Sequence, residues 1–342
     1  MVNMYIQSSS RGEVSEFLRR ATLALLVLMV AVMASPTSWA APGPKSYPYK
    51  ITTTVGMVTD IVRQVAGEKA MVKGIMGPGV DPHLYRPTRD DVAALMRSDV
   101  VFYSGLMLEG KMTDTLVKVA RTKPLHAVTE LIDEKYLLEP EEMKGHYDPH
   151  LWMDPSAWAK AVEAVGQALA EYDRTNADYY RKNAAAFVQQ CVQLHAYGQK
   201  ALATIPEKHR VLITSHDAFN YFGRAFGLKV VGVQGISTES EAGLQRINQL
   251  ADFILQNDVK AVFVESSVPR KNIQALVQGL NARGKDLRIG GELFSDAMGQ
   301  EGTYEGTYLG MLDHNITTVT SALGGEVSER GMSGKLALAR AP

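Results

Sequence analysis

Apolar residues in the first part of the chain alternate between strand-like and helix-like spacing. The stretch YKITTTV (Tyr49–Val55) is β-branched, MVTDIVRQVAG (Met57–Gly67) has helical spacing, and AMVKGIM (Ala70–Met76) is strand-like again. Gly67 stands where a helix commonly ends on glycine. A Gly- and Pro-rich loop, the helix TRDDVAALMRS and the short strand DVVFYSG come next. This order predicts parallel strands with helices on both faces of a sheet.

A long helical region separates this pattern from a second alternation of strands and helices. It opens at residues 154–156 (DPS), its first helix is predicted to end at Asp173, and its second helix covers about 177–204. At about 1.5 Å per residue the second helix would be about 40 Å long, enough to connect two lobes. Four strand-and-helix pairs follow: RVLITS with HDAFNYFGRAFG, LKVVGV with AGLQRINQLADFILQND, VKAVFVE with RKNIQALVQGLNARG, and DLRIGGELF with TYEGTYLGMLDHNITTVTSAL. We therefore predict an α/β protein with two lobes around a cleft.

The first forty residues have the pattern of a secretion signal. Arg19 and Arg20 precede an uncharged run at 21–34, which is too short as a helix to cross a bilayer core of roughly 30 Å. The small-x-small tripeptide SWA at 38–40 predicts cleavage after Ala40. An N-terminal anchor helix is the alternative interpretation. No cysteine follows the apolar run, which argues against lipid attachment there and favours a soluble periplasmic protein.

These patterns divide the chain into five predicted parts. They are a signal peptide at 1–40, an N-terminal α/β lobe at 41–175, a connecting helix at 176–205, a C-terminal α/β lobe at 206–323 and a loose tail at 324–342. The tail contains Gly, Ser and Lys and has little periodicity, which is typical of a poorly ordered terminus.

Composition narrows the possible functions. A chain of 342 residues suits two domains, and 46% hydrophobic with 21% charged residues is a globular composition. The balance of 36 Lys and Arg against 37 Asp and Glu argues against a nucleic-acid binder. Cys191 is the one cysteine, and we expect it to pack as a small hydrophobic side chain. An intrachain disulfide, a Cys-rich zinc module and an iron–sulfur cluster are therefore excluded, so a metal site would need His, Asp or Glu.

Three of the eight histidines and one aspartate fall where the loops of a cleft would lie. The tetrapeptide DPHL occurs twice, placing His83 after a predicted strand and His150 in a loop before the long helical region. His216 and Asp296 follow predicted strands. Ligands of α/β sheets bind beyond the carboxyl ends of strands. Three imidazoles and a carboxylate would suit a divalent transition metal. The alternative interpretation of each residue is an ordinary structural role, in a loop or at the start of a helix.

Two further residues are candidates for supporting these ligands. Glu265 ends a predicted strand, and His146 lies close to His150 in the segment GHYDPH. For the remaining histidines we expect ordinary structural or surface roles; they are His126, His195, His209 and His314.

The motifs DPHLY, DPHLWMDP, TSHDAFNYF and LFSDAMG occur in that order. As a set they resemble the cluster A-I metal-binding solute-binding proteins of bacterial ABC transporters, of the TroA, ZnuA and PsaA type. The resemblance covers about 50–323. It implies two Rossmann-like lobes with parallel sheets, joined by one long helix, and a metal site in the interlobe cleft. Matched motif by motif, it implies four ligands, two from each lobe: His83, His150, His216 and Asp296.

The resemblance also implies a function outside catalysis. It predicts a periplasmic receptor, monomeric in its mature form, that carries one Zn²⁺ or Mn²⁺ ion per chain as cargo to an ABC permease in the inner membrane. A histidine at 216, where relatives carry His or Glu, favours zinc. The absence of a His-rich loop between the first two ligands favours the manganese or dual-metal branch. Arg86 stands where relatives often carry an acidic residue, so their outer contacts do not carry over there.

Two other classes stay open at this point. One is a secreted zinc-dependent metalloenzyme, for which three histidines would leave a position for water and Glu265 would be the candidate general base. The other is a receptor for a chelated metal or an organic ligand, which would need a larger cleft.

Overall fold

Four parallel strands form the sheet of the first lobe, in a computed structural model that describes residues 43–337. The strands lie in the order β2-β1-β3-β4, and their bounds are β1 (Tyr49–Thr53), β2 (Ala70–Gly74), β3 (Val100–Tyr103) and β4 (Leu125–Ala127). Ile51 pairs with Val72 on one side and Val100 on the other, which confirms the predicted parallel sheet. The predicted signal peptide at 1–40 lies outside the described residues.

Three helices accompany this sheet: α1 (Gly56–Ala66), α2 (Arg89–Arg97) and α3 (Thr113–Ala120). Helix α1 ends at Gly67, whose φ of 52° suits glycine, as the sequence predicted. Helix α2 begins with a capping box, in which the Thr88 hydroxyl accepts the N–H of Asp91 and the Asp91 carboxylate accepts the N–H of Thr88. Neither α3 nor β4 was predicted, because elements of eight and three residues are too short to show a clear period in the sequence.

One long helix, α5 (Ala177–Leu202), connects the lobes, and the long helix α4 (Pro155–Tyr172) precedes it and packs along it. Helix α4 ends before Asp173, as predicted. Helix α5 has 26 residues and packs against α1 and α4 as well as against α9 (Tyr308–Ala322) of the second lobe. Cys191 is fully buried within α5, in keeping with the expected packing role. Neither these helices nor any other in residues 43–337 is long and apolar enough to span a bilayer.

Two parallel strand pairs form the second lobe, with β5 packed beside β7. The strands are β5 (Val211–Thr214) with β6 (Lys229–Gly232), and β7 (Ala261–Glu265) with β8 (Arg288–Leu293). The helices are α6 (Asn220–Phe226), α7 (Leu244–Gln256), α8 (Lys271–Asn281) and the final helix α9. Because β5, β7 and β8 run in chain order with α/β connections, residues that follow them are placed to gather at one edge of the lobe.

Two helices begin later than the sequence predicted. Helix α6 begins at Asn220, because residues 215–217 form a bend, in which the His216 carbonyl accepts the Thr214 hydroxyl. Helix α9 begins at Tyr308, because the side chain of Thr307 caps it by accepting the N–H of Gly310. In both cases the helical spacing of apolar residues extends beyond the hydrogen-bonded helix.

The prediction of a loose tail is wrong over 324–337. Leu336 is 3% exposed, and the backbone N–H of Met332 donates to the carboxylate of Asp313 on α9 at 2.8 Å. The N–H of Ala337 donates to Glu305 at 2.9 Å. These contacts are a buried leucine and backbone hydrogen bonds to two carboxylates, and they produce no periodic pattern in the sequence. Residues 338–342 lie outside the described part of the chain.

Candidate metal centre

His83, His150, His216 and Asp296 converge in one buried cluster. One donor atom from each residue lies within 4.8 Å of the other three. All four side chains are buried, and the most accessible of them, His83, is 6% exposed. The structure therefore brings together the four residues that the sequence singled out.

The distances between donor atoms suit a four-coordinate metal ion. Nε2 of His83 lies 3.4 Å from Nε2 of His150. The carboxylate of Asp296 lies 3.1 Å from Nε2 of His216, 3.3 Å from Nε2 of His150 and 3.7 Å from Nε2 of His83. Bonds of about 2.0–2.1 Å at tetrahedral angles place neighbouring donors roughly 3.3 Å apart. The cluster thus has the size that a zinc-like ion requires.

Three polar atoms of the cluster have no hydrogen-bond partner among the residues that the structure describes. They are Nε2 of His216 and both carboxylate oxygens of Asp296. A buried polar group left without a partner costs about 1–3 kcal/mol. A cation coordinated at the centre of the cluster would satisfy all three, so the donor set fits a divalent metal.

A carboxylate bonds the ring of each of the two fully buried histidines of the cluster, His150 and His216. Asp148 accepts from the backbone N–H of His150 at 3.0 Å and lies 2.7 Å from its ring Nδ1. Glu265 accepts from the backbone N–H of His216 at 2.9 Å and lies 2.5 Å from its ring Nδ1. A proton on Nδ1 leaves Nε2 free to coordinate, and the carboxylate raises its basicity.

His83, the third histidine, bonds its neighbouring aspartate, Asp81, through the backbone alone. The Asp81 carboxylate accepts from the backbone N–H of His83 at 2.9 Å. Among the described residues, no carboxylate bonds Nδ1 of the His83 ring. The two DPH sequences therefore form the same turn, but only the second one orients the imidazole.

The loops that carry the ligands are tied together by Trp152. Its Nε1 donates to the carbonyl of Ser295 at 2.8 Å, next to Asp296. Its ring also packs edge-on against the His150 imidazole, at 5.2 Å between centroids. Fully burying a side chain of this size contributes several kcal/mol, so this contact helps to fix the spacing between the two ligands.

The pKa values of the cluster reflect opposing effects of burial and charge. Burial lowers the pKa of His83 to about 4. Burial acts in the same direction on His150, but Asp148 and Asp296 outweigh it and raise the pKa to about 9. For His216, burial is likewise outweighed by Glu265 and Asp296, which raise the pKa well above its usual value. Burial would raise the pKa of Asp296, yet the neighbouring charges of His216 and His150 hold it well below its usual range.

The supporting residues differ in part from those that the sequence proposed. Glu265 contacts His216 directly, whereas His146 is exposed and its N–H donates to the carbonyl of Met143. The structure does not place His146 in the cluster. Asp148 and Trp152 were not singled out from the sequence. The aspartate that DPHL repeats before each histidine could have indicated the contact of Asp148 with His150. No sequence pattern indicates the contact of Trp152 with Ser295.

The sequence profile described as zinc-uptake complex component A, periplasmic, matches residues 51–322 of this chain. The chain belongs to this family. Similar members include the manganese-binding lipoprotein MntA of Bacillus subtilis, 45% identical over 80% of this chain and 89% of the relative. The zinc-binding protein TroA of Treponema pallidum is 44% identical over 80% of this chain and 88% of the relative.

Solved structures of the zinc-uptake family show the same fold. The periplasmic zinc-binding protein TroA from Treponema pallidum superposes with a TM-score of 0.78 at 44% identity, covering 80% of this chain and 99% of that one. The Fe(III)-bound YtgA from Chlamydia trachomatis gives a TM-score of 0.74 at 25% identity, covering 82% and 100%. The predicted two-lobe α/β architecture with parallel sheets is therefore confirmed.

Proposed function

We propose that this protein is an extracytoplasmic receptor that binds one divalent metal ion, Zn²⁺ or Mn²⁺, and delivers it to an ABC permease. The observation that carries the proposal is the convergence of His83, His150, His216 and Asp296 in a buried cluster whose spacing suits one ion. Relatives named as zinc-binding and manganese-binding support the same class of cargo. The ion is the substrate that the receptor transports.

The positions of the four residues in the two lobes support capture and release of the ion at the cleft between them. His83 and His150 precede the connecting helix α5, and His216 and Asp296 follow it. An ion held by two residues from each side would fasten the lobes together when bound. Separation of the lobes would break up the ligand set, which gives a route for release to the permease.

The same geometry favours a receptor over a metalloenzyme. A catalytic zinc site has three protein ligands and one position for water or substrate, whereas a fourth protein ligand closes that position. Here Asp296 is that fourth ligand, within 3.7 Å of all three histidines. Glu265, the candidate general base, is already bonded to Nδ1 of His216. The buried cluster is also compact, which favours a bare ion over a chelated metal.

The donor set favours zinc in solution. Sites of nitrogen and oxygen ligands bind Zn²⁺ more tightly than Mn²⁺, and three imidazoles strengthen that preference. Both oxygens of Asp296 face the cluster, Oδ1 toward His150 and Oδ2 toward His216. Coordination through both oxygens would give a five-coordinate site, which Mn²⁺ accepts. Named relatives bind manganese, zinc or Fe(III), so we propose tighter zinc binding in vitro with manganese as a possible cargo in the cell.

Location and assembly complete the proposal. We propose secretion through a signal peptide at 1–40, a monomeric mature protein in the periplasm, and lobes at 41–175 and 206–323 joined at 176–205. Some relatives are named lipoproteins. The single cysteine of this sequence, Cys191, is buried in α5, so we propose that the predicted cleavage region carries no lipid.

Metal analysis tests this function directly. Protein purified without chelators should contain about one zinc or manganese ion per chain, and competition between the two ions should give the higher affinity to Zn²⁺. Deletion of the gene should reduce uptake of the preferred ion by cells. Protein that contains no metal and binds neither ion would refute the proposal, as would an organic ligand that copurifies in stoichiometric amount.

A further inference from the structure

The three histidine ligands are not held equally. The backbone N–H of each histidine donates to a carboxylate: His83 to Asp81, His150 to Asp148 and His216 to Glu265. For His150 and His216 the same carboxylate also bonds the ring Nδ1, so backbone and imidazole are fixed together. For His83 the carboxylate fixes the backbone alone. The position of this ligand therefore depends on whatever holds Asp81.

A residue of the other lobe holds Asp81. The hydroxyl of Thr238 donates to Oδ2 of Asp81 at 2.6 Å, while Oδ1 accepts from the N–H of His83. Thr238 is 8% exposed and lies in the segment 233–243, between β6 and α7. The bond joins residues 157 positions apart and crosses the cleft between the lobes. One carboxylate thus connects the ligand loop of the first lobe to a loop of the second.

A second contact of the same segment provides a comparison. Glu239, adjacent to Thr238, pairs with Lys111 of the first lobe at 2.9 Å. This ion pair is partly exposed, with side chains 35% and 47% accessible, so it contributes little to stability. It also crosses the cleft, but neither partner bonds a ligand loop. Thr238 differs from this pair because it bonds a residue that holds a histidine of the cluster. Asn220 of the second lobe bonds Asp148 in a similar way at 3.1 Å, but Asp148 also fixes the His150 ring directly.

We propose that Thr238 is a positioning residue for His83, acting through Asp81. When the lobes are together, Thr238 holds Asp81, and Asp81 holds the backbone of His83 with Nε2 directed at the metal. When the lobes separate, this support is lost. Asp148 then also loses the hydrogen bond that it accepts from the Asn220 amide of the second lobe at 3.1 Å, but Asp148 and Glu265 still bond the ring Nδ1 of the other two histidines. His83 is then the first ligand to lose its orientation. The inference rests on the proposed metal-receptor function and assigns one residue to the coupling between lobe contact and ion release.

Metal dissociation kinetics test this role in the purified protein. Zinc release is followed in the presence of excess chelator, and the absorption spectrum of the Co²⁺-substituted protein reports the geometry of the site. Loss of an outer hydrogen bond to a metal site typically costs 10–100-fold in affinity. Thr238→Val should therefore accelerate zinc release about tenfold or more and alter the Co²⁺ spectrum. Thr238→Ser keeps the hydroxyl and should restore the wild-type rate and spectrum.

The matched control is Glu239→Gln, which breaks the neighbouring contact with Lys111 and should leave rate and spectrum unchanged. Thr238→Ala is measured beside Thr238→Val, so that poor folding of one variant does not decide the result. An equal acceleration of zinc release by Glu239→Gln would overturn the inference, because segment 233–243 would then only hold the lobes together and would not position His83. Wild-type release from both Thr238→Val and Thr238→Ala would also overturn it. A wild-type protein that binds neither Zn²⁺ nor Mn²⁺ would instead refute the proposed function.

Discussion

Glu265 holds His216 through both of its carboxylate oxygens. Oε1 lies 2.9 Å from the backbone nitrogen of His216, and Oε2 lies 2.5 Å from its ring Nδ1. The far nitrogen of the ring, Nε2, lies 3.1 Å from Asp296. This arrangement requires a proton on Nδ1 and directs Nε2 toward the centre of the four-residue cluster. Glu265, the candidate general base of a metalloenzyme, is therefore bonded to the His216 ring.

Replacement of that carboxylate by an amide should weaken metal binding. In Glu265→Gln the amide nitrogen would face one of the two N–H groups of His216, so one of the two hydrogen bonds is lost. We expect zinc affinity to fall about 10–100-fold in a competition titration. The control is Glu241→Gln, which changes an exposed glutamate paired with Lys271. Equal affinities of Glu265→Gln and wild type would contradict the orienting role.

Removal of a ligand should be far more damaging than removal of a neighbouring histidine. His216→Ala deletes one of four donors and should lower zinc affinity by orders of magnitude, with the fold retained by circular dichroism. His146→Ala should bind zinc like the wild type, because His146 is exposed and outside the cluster. If the two variants behave alike, the ligand assignment is wrong.

Metal affinity should fall as the pH is lowered. Without metal, the pKa of His150 is raised to about 9 and that of His216 is raised well above its usual value, so both rings carry an extra proton at pH 7. The pKa of His83 is lowered to about 4, so its ring is neutral there. An incoming ion must displace the extra protons, so binding at pH 7 should release about two. Between pH 5 and 8 the affinity should therefore rise by roughly a hundredfold per pH unit.

Calorimetry in buffers of different ionisation enthalpy counts these protons. The control is His83→Ala, which removes a ligand that is already neutral and should leave proton release at pH 7 near the wild-type number. Binding that releases no protons at pH 7 would show that both rings are neutral before the ion arrives.

Metal removal should lower the thermal stability of the protein. An ion that binds only the folded state and is present at about 1,000 times its Kd stabilises that state by about 4 kcal/mol. For a chain of this size this corresponds to a Tm higher by roughly 6 °C. Differential scanning calorimetry with zinc and with a chelator measures the shift, which Asp296→Ala should largely abolish. A Tm that is the same in both conditions would argue against tight binding to the folded state.

The mature N-terminus should begin at Ala41 without lipid. Intact-mass measurement of protein recovered from the periplasm should give the mass of residues 41–342. Retention of residues 1–40 would favour the alternative of an N-terminal anchor. A mass increase equal to an acyl group would contradict the proposal that the cleavage region is not lipidated.

The order of elements was accessible from the sequence because each long element repeats its pattern of burial. The helix that ends at Gly67, the helix capped at Thr88 and the break at Asp173 all lie where local spacing and capping residues placed them. Short elements and the tail were missed, since α3, β4 and the anchoring of Leu336 depend on contacts with distant parts of the chain.

The sequence by itself determined the α/β architecture and named the four residues of the cluster, because their motifs follow strands or stand in Pro-defined loops. The tertiary structure alone decided how those residues are held. Glu265 and His216 are 49 positions apart, and Thr238 and Asp81 are 157 apart. Local periodicity encodes which face of an element is buried, but it carries no information about which distant loop that element meets. The contact of Glu265 with His216 therefore forms only when β5 and β7 lie side by side, and that of Thr238 with Asp81 only when the two lobes meet.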